Sequence, residues 1–142
     1  MEINFEKLQE LIDNKDIPEL LEFLDNNNLE IKDGKIIGKN LKEIDVILKS
    51  LSKDPKWSFF YARNVIKGRF PEGEAALASE AEYAYRYAVT VINGRFPEGE
   101  AAIATDPKYA FLYALYIIKG RWPEGEAAIK SDPDYSGIYK NL

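Results

Sequence analysis

The chain repeats itself every 26 residues, and this period limits the folds that it can adopt. The nonapeptide GRFPEGEAA starts at Gly68 and again at Gly94, and GRWPEGEAA starts at Gly120. Extending the register gives three full units and the start of a fourth, at 54–79, 80–105, 106–131 and 132–142. Repetition at a period of this size is typical of arrays in which each unit packs on its neighbours. The sequence therefore predicts a mostly α protein that contains a short α-solenoid of helix-turn-helix repeats.

Each unit carries the start signal of a first helix, which we call helix A. Asp-Pro at Asp54 and at Asp106 predicts an N-terminus, because Asp caps the free N–H groups and Pro is tolerated at the first helical position. The second unit has Glu80 at this point, and Ser79 with Glu82 is predicted to form a capping box there.

The nonapeptide holds the end of helix A and the start of a second helix, helix B. Its first glycine is expected to close helix A, because Gly readily adopts the left-handed conformation of a helix end. Helix A is thus predicted over about 55–67, 81–93 and 107–119. Helix B is predicted to last about two turns, which is too short to persist without packing. The prolines that open helix B are Pro71, Pro97 and Pro123.

One side of helix A carries large apolar residues at i, i+4 and i+8, with small residues beside them. We interpret this stripe as core or inter-unit packing, and its alternative is an exposed aromatic strip that binds a partner. The stripe consists of Trp57, Tyr61 and Val65, then Tyr83, Tyr87 and Val91, then Tyr109, Tyr113 and Ile117.

A second side of helix A differs from unit to unit, at offsets i, i+3, i+4 and i+7. A constant scaffold with one free face is how solenoids present a binding surface. The alternative is a solvated face without a function. The predicted partner-binding residues are Phe60, Arg63, Asn64, Lys67, Arg86, Val89, Thr90, Leu112, Leu115, Tyr116 and Lys119. Asn93 completes the pattern, and we call these twelve residues the variable face.

Residues 1–53 do not match the repeat and are predicted to form a helical/β-hairpin capping module. Amphipathic helices are expected after Asn4, after Asp16 and after Asn40, each with that residue as its cap. Two short β-prone runs flank Asp33-Gly34, a dipeptide that favours the type I′ turn of a hairpin. End units of an array need such a cap, and the third helix leads directly into the first repeat.

Composition excludes several classes of function. The chain has no Cys and no His, so thiol nucleophiles, imidazole acid–base catalysis and zinc fingers are excluded, and no metal or cofactor is expected. A net charge of −5 argues against binding to nucleic acid. No apolar run approaches the roughly 20 residues that span a bilayer, and the start MEINFEKLQE lacks a secretory signal. We therefore expect a cytoplasmic protein that binds neither membranes nor nucleic acid.

The repeated charges allow two interpretations. Paired glutamates can act as general acid and base, but catalysis needs one site in which the two pKa values differ. Three equivalent copies are instead expected of a scaffold, so we predict no enzymatic activity. The glutamate pairs are Glu72/Glu74, Glu98/Glu100 and Glu124/Glu126. The arginines that we expect to pair with nearby glutamates are Arg69, Arg95 and Arg121.

The repeat unit resembles the tandem helical repeats of uncharacterised bacteriophage proteins. The residues that carry the resemblance are Asp106-Pro107, Tyr109-Ala110, Tyr113-Ala114 and 120–124, with their equivalents across 54–142. The resemblance implies a phage origin and a helical array, and it implies no catalytic residues. We therefore expect a non-enzymatic interaction protein in the host bacterial cytoplasm that inhibits a host protein such as a defence complex. The alternative is an assembly protein that self-associates through repeat stacking.

Overall fold

The computed structural model of the chain describes residues 10, 11, 14, 19, 30–32, 35–37 and 52–142, with the backbone alone at residues 30–32, 35–37, 64 and 65. In the N-terminal part, Glu10, Leu11, Asn14 and Glu19 are helical, within the first two predicted helices, and Leu11 is buried. The predicted caps Asn4, Asp16 and Asn40 and most of the third predicted helix lie outside the described residues.

Two short strands pair within the N-terminal part of the chain. Strand β1 (Glu30–Lys32) runs antiparallel to β2 (Lys35–Ile37), with Glu30 opposite Ile37 and Lys32 opposite Lys35. The predicted turn residues Asp33-Gly34 lie outside the described residues.

From residue 52 onward the chain is mostly helical, as predicted. The α-helices are α1 (Pro55–Phe60), α2 (Glu74–Ala78), α3 (Ala81–Tyr87), α4 (Pro97–Ile103), α5 (Pro107–Tyr113), α6 (Glu126–Lys130) and α7 (Pro133–Tyr139). The first helix of each full unit continues as a π-helix, at Tyr61–Ile66, Ala88–Ile92 and Ala114–Ile118. Short 3-10 turns precede α2 and α6, at Pro71–Gly73 and Pro123–Gly125. Helix A thus spans 55–66, 81–92 and 107–118, within one residue of its predicted extent.

The aspartate caps are confirmed. Asp54 Oδ1 accepts hydrogen bonds from the backbone N–H groups of Lys56 (2.9 Å) and Trp57 (3.2 Å). Asp106 caps α5 in the same way, and Asp132 caps α7.

The predicted capping box of the second unit is wrong. Glu80 is the N-cap residue of α3, and its side chain makes no capping hydrogen bond. Ser79 instead closes the helix before it, because its hydroxyl donates to the Ala76 carbonyl at 2.6 Å. Glu82 pairs with Arg86 one turn later, at 3.0 Å.

The residue that ends helix A is not the predicted glycine. The left-handed position belongs to the preceding residue, with φ of 59° at Lys67, 59° at Asn93 and 61° at Lys119. The cause is the π-helical end, in which the Ala62 carbonyl accepts hydrogen bonds from the N–H groups of both Lys67 and Gly68. This wider turn reverses the chain one residue early, so Gly68, Gly94 and Gly120 do not have a left-handed φ.

The second glycine of the nonapeptide is required by close packing. A methyl group at Gly99 would lie 2.8 Å from Ala84 Cβ and 2.7 Å from Phe96 Cδ2, well inside van der Waals contact. Gly73 and Gly125 are equally close to their surroundings. Helix B therefore lies against the small residues of helix A at a distance that only glycine permits.

The core lies between the helices and extends through all the units. Each helix A packs on its own helix B and on helix A of the next unit. Buried side chains recur at equivalent positions of the repeat, including Tyr61, Tyr87, Tyr113 and Tyr139, then Phe70, Phe96 and Trp122, then Leu77, Ile103 and Ile129. Burial of Trp57, Tyr61, Tyr87 and Tyr113 supports the packing interpretation for these members of the aromatic stripe. The other described members are partly buried, namely Tyr83, Val91, Tyr109 and Ile117.

We predict that Ala substitution at the two glycines of one nonapeptide has different effects on stability. Gly99→Ala should lower the free energy of unfolding by about 1–3 kcal/mol, because the overlap outweighs the better helix propensity of Ala. Gly94→Ala is the matched control: its methyl group meets no atom within 4 Å, so its change should stay within about 0.5 kcal/mol. Urea denaturation followed by circular dichroism measures both. Equal effects at the two positions would contradict the packing argument.

Candidate interaction face

A tyrosine from the second, third and fourth units reaches back into the nonapeptide of the unit before it. The Tyr87 hydroxyl oxygen accepts a hydrogen bond from the Phe70 backbone N–H (2.8 Å) and donates to Glu74 Oε2 (2.6 Å). The Phe70 N–H is thus satisfied although it is buried, where an unpaired donor is costly. We call this arrangement the joint between two units.

An arginine holds the joint carboxylate in place. Arg69 Nε donates to Glu74 Oε2 at 2.9 Å and Arg69 Nη2 donates to Glu74 Oε1 at 3.0 Å. This two-point contact fixes the plane of the carboxylate, so its oxygen stays aligned with the tyrosine hydroxyl. Arg69 is half exposed, and an exposed pair contributes only about 0–1 kcal/mol, so its main role is orientation.

The second joint has the same geometry. The Phe96 N–H donates to the Tyr113 hydroxyl oxygen (3.0 Å), and that hydroxyl donates to Glu100 Oε2 (2.5 Å). Arg95 donates to both Glu100 oxygens at 2.8 Å. The predicted pairing of Arg69 and Arg95 with glutamates is therefore confirmed.

The third joint has the same tyrosine hydrogen bonds, but its arginine lies farther from the carboxylate. Tyr139 accepts from the Trp122 N–H (2.8 Å) and donates to Glu126 Oε1 (2.8 Å). Arg121 stands 4.0 Å from the Glu126 carboxylate, with its guanidinium 5.6 Å from the centre of the Tyr139 ring. Lys130 Nζ approaches Glu126 to 3.5 Å. The predicted pairing of Arg121 is present in this longer form.

The joint shifts the pKa of its carboxylates. At Glu100 the hydrogen bond from Arg95 lowers the pKa most, and burial opposes it only in part. At Glu74 burial is the largest influence and raises the pKa, but the hydrogen bonds from Arg69 and Tyr87 together outweigh it, so the net pKa is lowered. The hydrogen bond from Tyr139 lowers the pKa of Glu126. All three carboxylates are therefore held in the charged form.

The first unit has the joint tyrosine without a described joint. Tyr61 is fully buried, but among the described residues neither its hydroxyl nor Trp57 Nε1 finds a hydrogen-bond partner. Within the described part of the chain, the two joint hydrogen bonds are thus present at Tyr87, Tyr113 and Tyr139 but not at Tyr61.

A second set of ring contacts joins successive units and was not predicted. Each pair is 24 residues apart and links helix A of one unit to helix A of the next. The pairs are Phe59–Tyr83 (6.2 Å), Tyr85–Tyr109 (5.8 Å) and Phe111–Tyr135 (5.2 Å between ring centres). The aromatic residue two positions before Tyr61, Tyr87 and Tyr113 was the available sequence signal.

The variable face takes no part in the joints. Its exposed residues are Arg63, Lys67, Arg86, Thr90, Asn93, Tyr116 and Lys119, and Tyr116 is 54% exposed. Its partly buried residues are Phe60, Val89, Leu112 and Leu115, whereas the side chain of Asn64 lies outside the described part. Phe60, Leu112 and Leu115 also pack against the core, which explains why apolar residues occur on this side.

The variable face runs across neighbouring π-helices. The π-helices of the first and second units contact each other, and so do those of the second and third. In each unit two variable positions lie within the π-helix and a third is the left-handed residue that follows it. The structure therefore brings the variable residues of the three units side by side.

No other candidate site emerges from the part of the chain that the structure describes. Within it, no group of three or more His, Cys, Asp and Glu could hold a metal ion. Of the helices described, none combines the length and the apolar character that crossing a bilayer requires. Comparisons with protein-family models, curated proteins and solved structures gave no significant match.

We predict that Tyr113→Phe lowers the free energy of unfolding by about 1–3 kcal/mol, because it leaves the buried Phe96 N–H without an acceptor. Tyr61→Phe is the matched control at the equivalent position. Since the Tyr61 hydroxyl has no described partner, its removal should change stability by less than about 0.5 kcal/mol. Chemical denaturation of both variants measures the difference. Equal losses would show that the hydroxyl of Tyr113 does not stabilise the joint.

The lowered pKa values predict a loss of stability in acid. Because the folded pKa lies below the ordinary value of 4.5, the unfolded chain binds these protons more readily. The stabilising contribution of these carboxylates is therefore complete above pH 4.5 and is lost as the pH falls through their pKa in the folded protein. Glu100→Gln should be less stable than the wild type near neutral pH and lose less stability on acidification. Urea midpoints over a pH series, with exposed Glu98→Gln as control, measure this; parallel profiles for all three proteins would contradict it.

Proposed function

We propose that the units form a short α-solenoid and that the chain is a non-enzymatic interaction protein that binds another protein through its variable face. One observation carries the proposal: the three repeat positions that hold a different residue in every unit lie on one side of helix A, away from the joints, and they are 60/86/112, 63/89/115 and 64/90/116. The joint residues are nearly identical in every unit because they hold the array together. The variable face is under no such constraint, so its residues are free to match a partner.

The backbone of this face supports a binding role. π-Helices are rare in proteins and frequently occur at functional sites. Here one follows α1, α3 and α5, and each contains two variable positions. The left-handed residues Lys67 and Lys119 add local strain, which is also common where a protein binds a ligand.

The side chains of the face have the composition of an interface centre. Tyr116 is largely exposed, Arg63 is exposed, and Leu112 and Leu115 are only partly buried. Aromatic and arginine side chains dominate the binding energy of many protein interfaces. A purely solvated face would be expected to carry a polar residue where Tyr116 is 54% exposed.

The environment of the glutamates supports a non-enzymatic role. Glu74, Glu100 and Glu126 each accept a tyrosine hydroxyl, and each has a cation nearby. Their counterparts Glu72, Glu98 and Glu124 are exposed. Three carboxylates in one environment lack the differentiation that acid–base catalysis requires.

The proposed target is a protein of a bacterial host, such as a defence complex that the chain would inhibit in the host cytoplasm. This part of the proposal rests on the resemblance of the repeat unit to bacteriophage repeats. Neither a nucleic acid nor a membrane is part of it, and no cofactor is required.

Affinity capture with two matched double variants tests the role of the face. Arg63→Ala with Tyr116→Ala removes one cation and one exposed apolar side chain from the face, and it should reduce recovery of a captured partner about ten-fold or more. Lys140→Ala with Ile138→Ala removes the same kinds of group elsewhere and should leave capture unchanged; Ile138 is 55% exposed.

Circular dichroism and light scattering accompany the capture experiment. Unchanged helical spectra show that loss of the partner does not come from unfolding. Light scattering over a concentration series separates partner binding from self-association, because stacking arrays would grow in mass with concentration. Equal capture by both double variants would contradict a binding role for the variable face.

A further inference from the structure

The variable face is basic, although the chain as a whole is acidic. Four of its twelve residues are cationic and none is acidic, against a net charge of −5 for the chain. The cations are Arg63, Lys67, Arg86 and Lys119, and all four are exposed. The charge of this face therefore opposes the charge of the rest of the protein.

These cations are weakly engaged within the protein. Arg86 forms a surface pair with Glu82, in which both side chains are more than a third exposed. The Arg63 guanidinium carbon lies 6.0 Å from the centre of the Phe59 ring. Among the described residues, no carboxylate forms an ion pair with Lys67 or Lys119. Most of their capacity for hydrogen bonds and ion pairs is thus directed outward.

Two of the cations occupy backbone positions that glycine would favour. Lys67 and Lys119 have a left-handed φ, which a residue with a side chain adopts only at a cost in stability. The fold gains no described ion pair from either lysine in return. A side chain kept under strain at an exposed position indicates a role outside the fold.

Apolar side chains lie beside these cations. Arg63 is equivalent to Val89 and Leu115 in the following units, and Lys67 is equivalent to Asn93 and Lys119. The π-helices that contain or precede these residues are in contact between neighbouring units. The face is more basic towards the first unit and more apolar towards the third.

We propose that the partner presents an acidic segment with apolar side chains, which the variable face binds by pairing its cations with carboxylates. This inference rests on the proposed function and specifies the chemistry of the partner. Complementary charge steers association and selects the partner, and the apolar residues supply contact area. A nucleic acid fits less well, because four separated cations in an acidic chain form no basic groove and the apolar rows have no counterpart on a phosphate backbone.

Substitution by glycine at the two strained lysine positions should change stability and binding in opposite directions. Lys67→Gly with Lys119→Gly removes two cations and relieves two left-handed residues, so we expect a higher Tm together with weaker binding. Asn93→Gly is the control for strain, because it removes a left-handed residue without a change of charge and should also raise the Tm. Lys56→Ala with Lys140→Ala is the control for charge, because it removes two exposed cations outside the variable face and should leave binding unchanged.

The probe is a short fluorescent peptide of alternating Glu-rich and Leu-rich turns, with a Lys/Leu peptide of the same pattern as control. We expect the Glu/Leu peptide to bind the wild type, to bind more weakly as salt rises, and to bind the double-glycine variant about ten-fold more weakly. The Lys/Leu peptide should not bind. Failure of the Glu/Leu peptide to bind, undiminished binding to the double-glycine variant, or tighter binding of a short DNA duplex would each overturn the inference.

Capture of the cellular partner by the two double variants distinguishes this inference from the proposed function. Capture that is lost in Arg63→Ala with Tyr116→Ala but retained in Lys67→Gly with Lys119→Gly would leave the proposed function standing and overturn the acidic partner. Capture that is lost in both variants and retained in Lys56→Ala with Lys140→Ala supports both proposals.

Discussion

The array depends on one tyrosine hydroxyl at each boundary between units. That hydroxyl accepts from a buried backbone N–H and donates to a carboxylate that an arginine holds in the first two joints. A phenylalanine would supply the same ring to the core but would leave the N–H unsatisfied. The two hydrogen bonds therefore determine which residue packs there and how far each unit is displaced from the one before.

The joint explains why the chain contains nearly the same nine residues three times. The aromatic residue supplies the N–H, the second glutamate accepts the hydroxyl, and the glycine between them allows helix B to approach helix A. These tasks are fixed by geometry that is the same at each boundary, so the residues recur. The variable face is outside this geometry, which is why sequence differences accumulate there.

Much of the fold could be predicted from the sequence because its signals are local. The cap formed by Asp54 and the start of helix B at Pro71 depend on neighbouring residues only. The end of helix A could not be predicted, because a π-helical turn at Ala62 moves the left-handed position to Lys67 without a sequence signature. The partners of Tyr87 lie 17 and 13 residues upstream, and only packing brings them together. The available signal was Tyr, rather than Phe, at all four equivalent positions.

The joint has a direction, because the tyrosine hydroxyl bonds to the corner of the unit before it, as Tyr87 does to Phe70 and Glu74. The ring of the same tyrosine contacts Phe96, in the corner of its own unit. Excision of any 26 consecutive residues between equivalent positions would again place a tyrosine 17 residues after an aromatic N–H and 13 residues after a glutamate. A chain with one unit more or one unit fewer would therefore keep the same joint at every boundary. It would also carry one more or one fewer set of variable-face positions, so the length of that face is independent of the residues that occupy it.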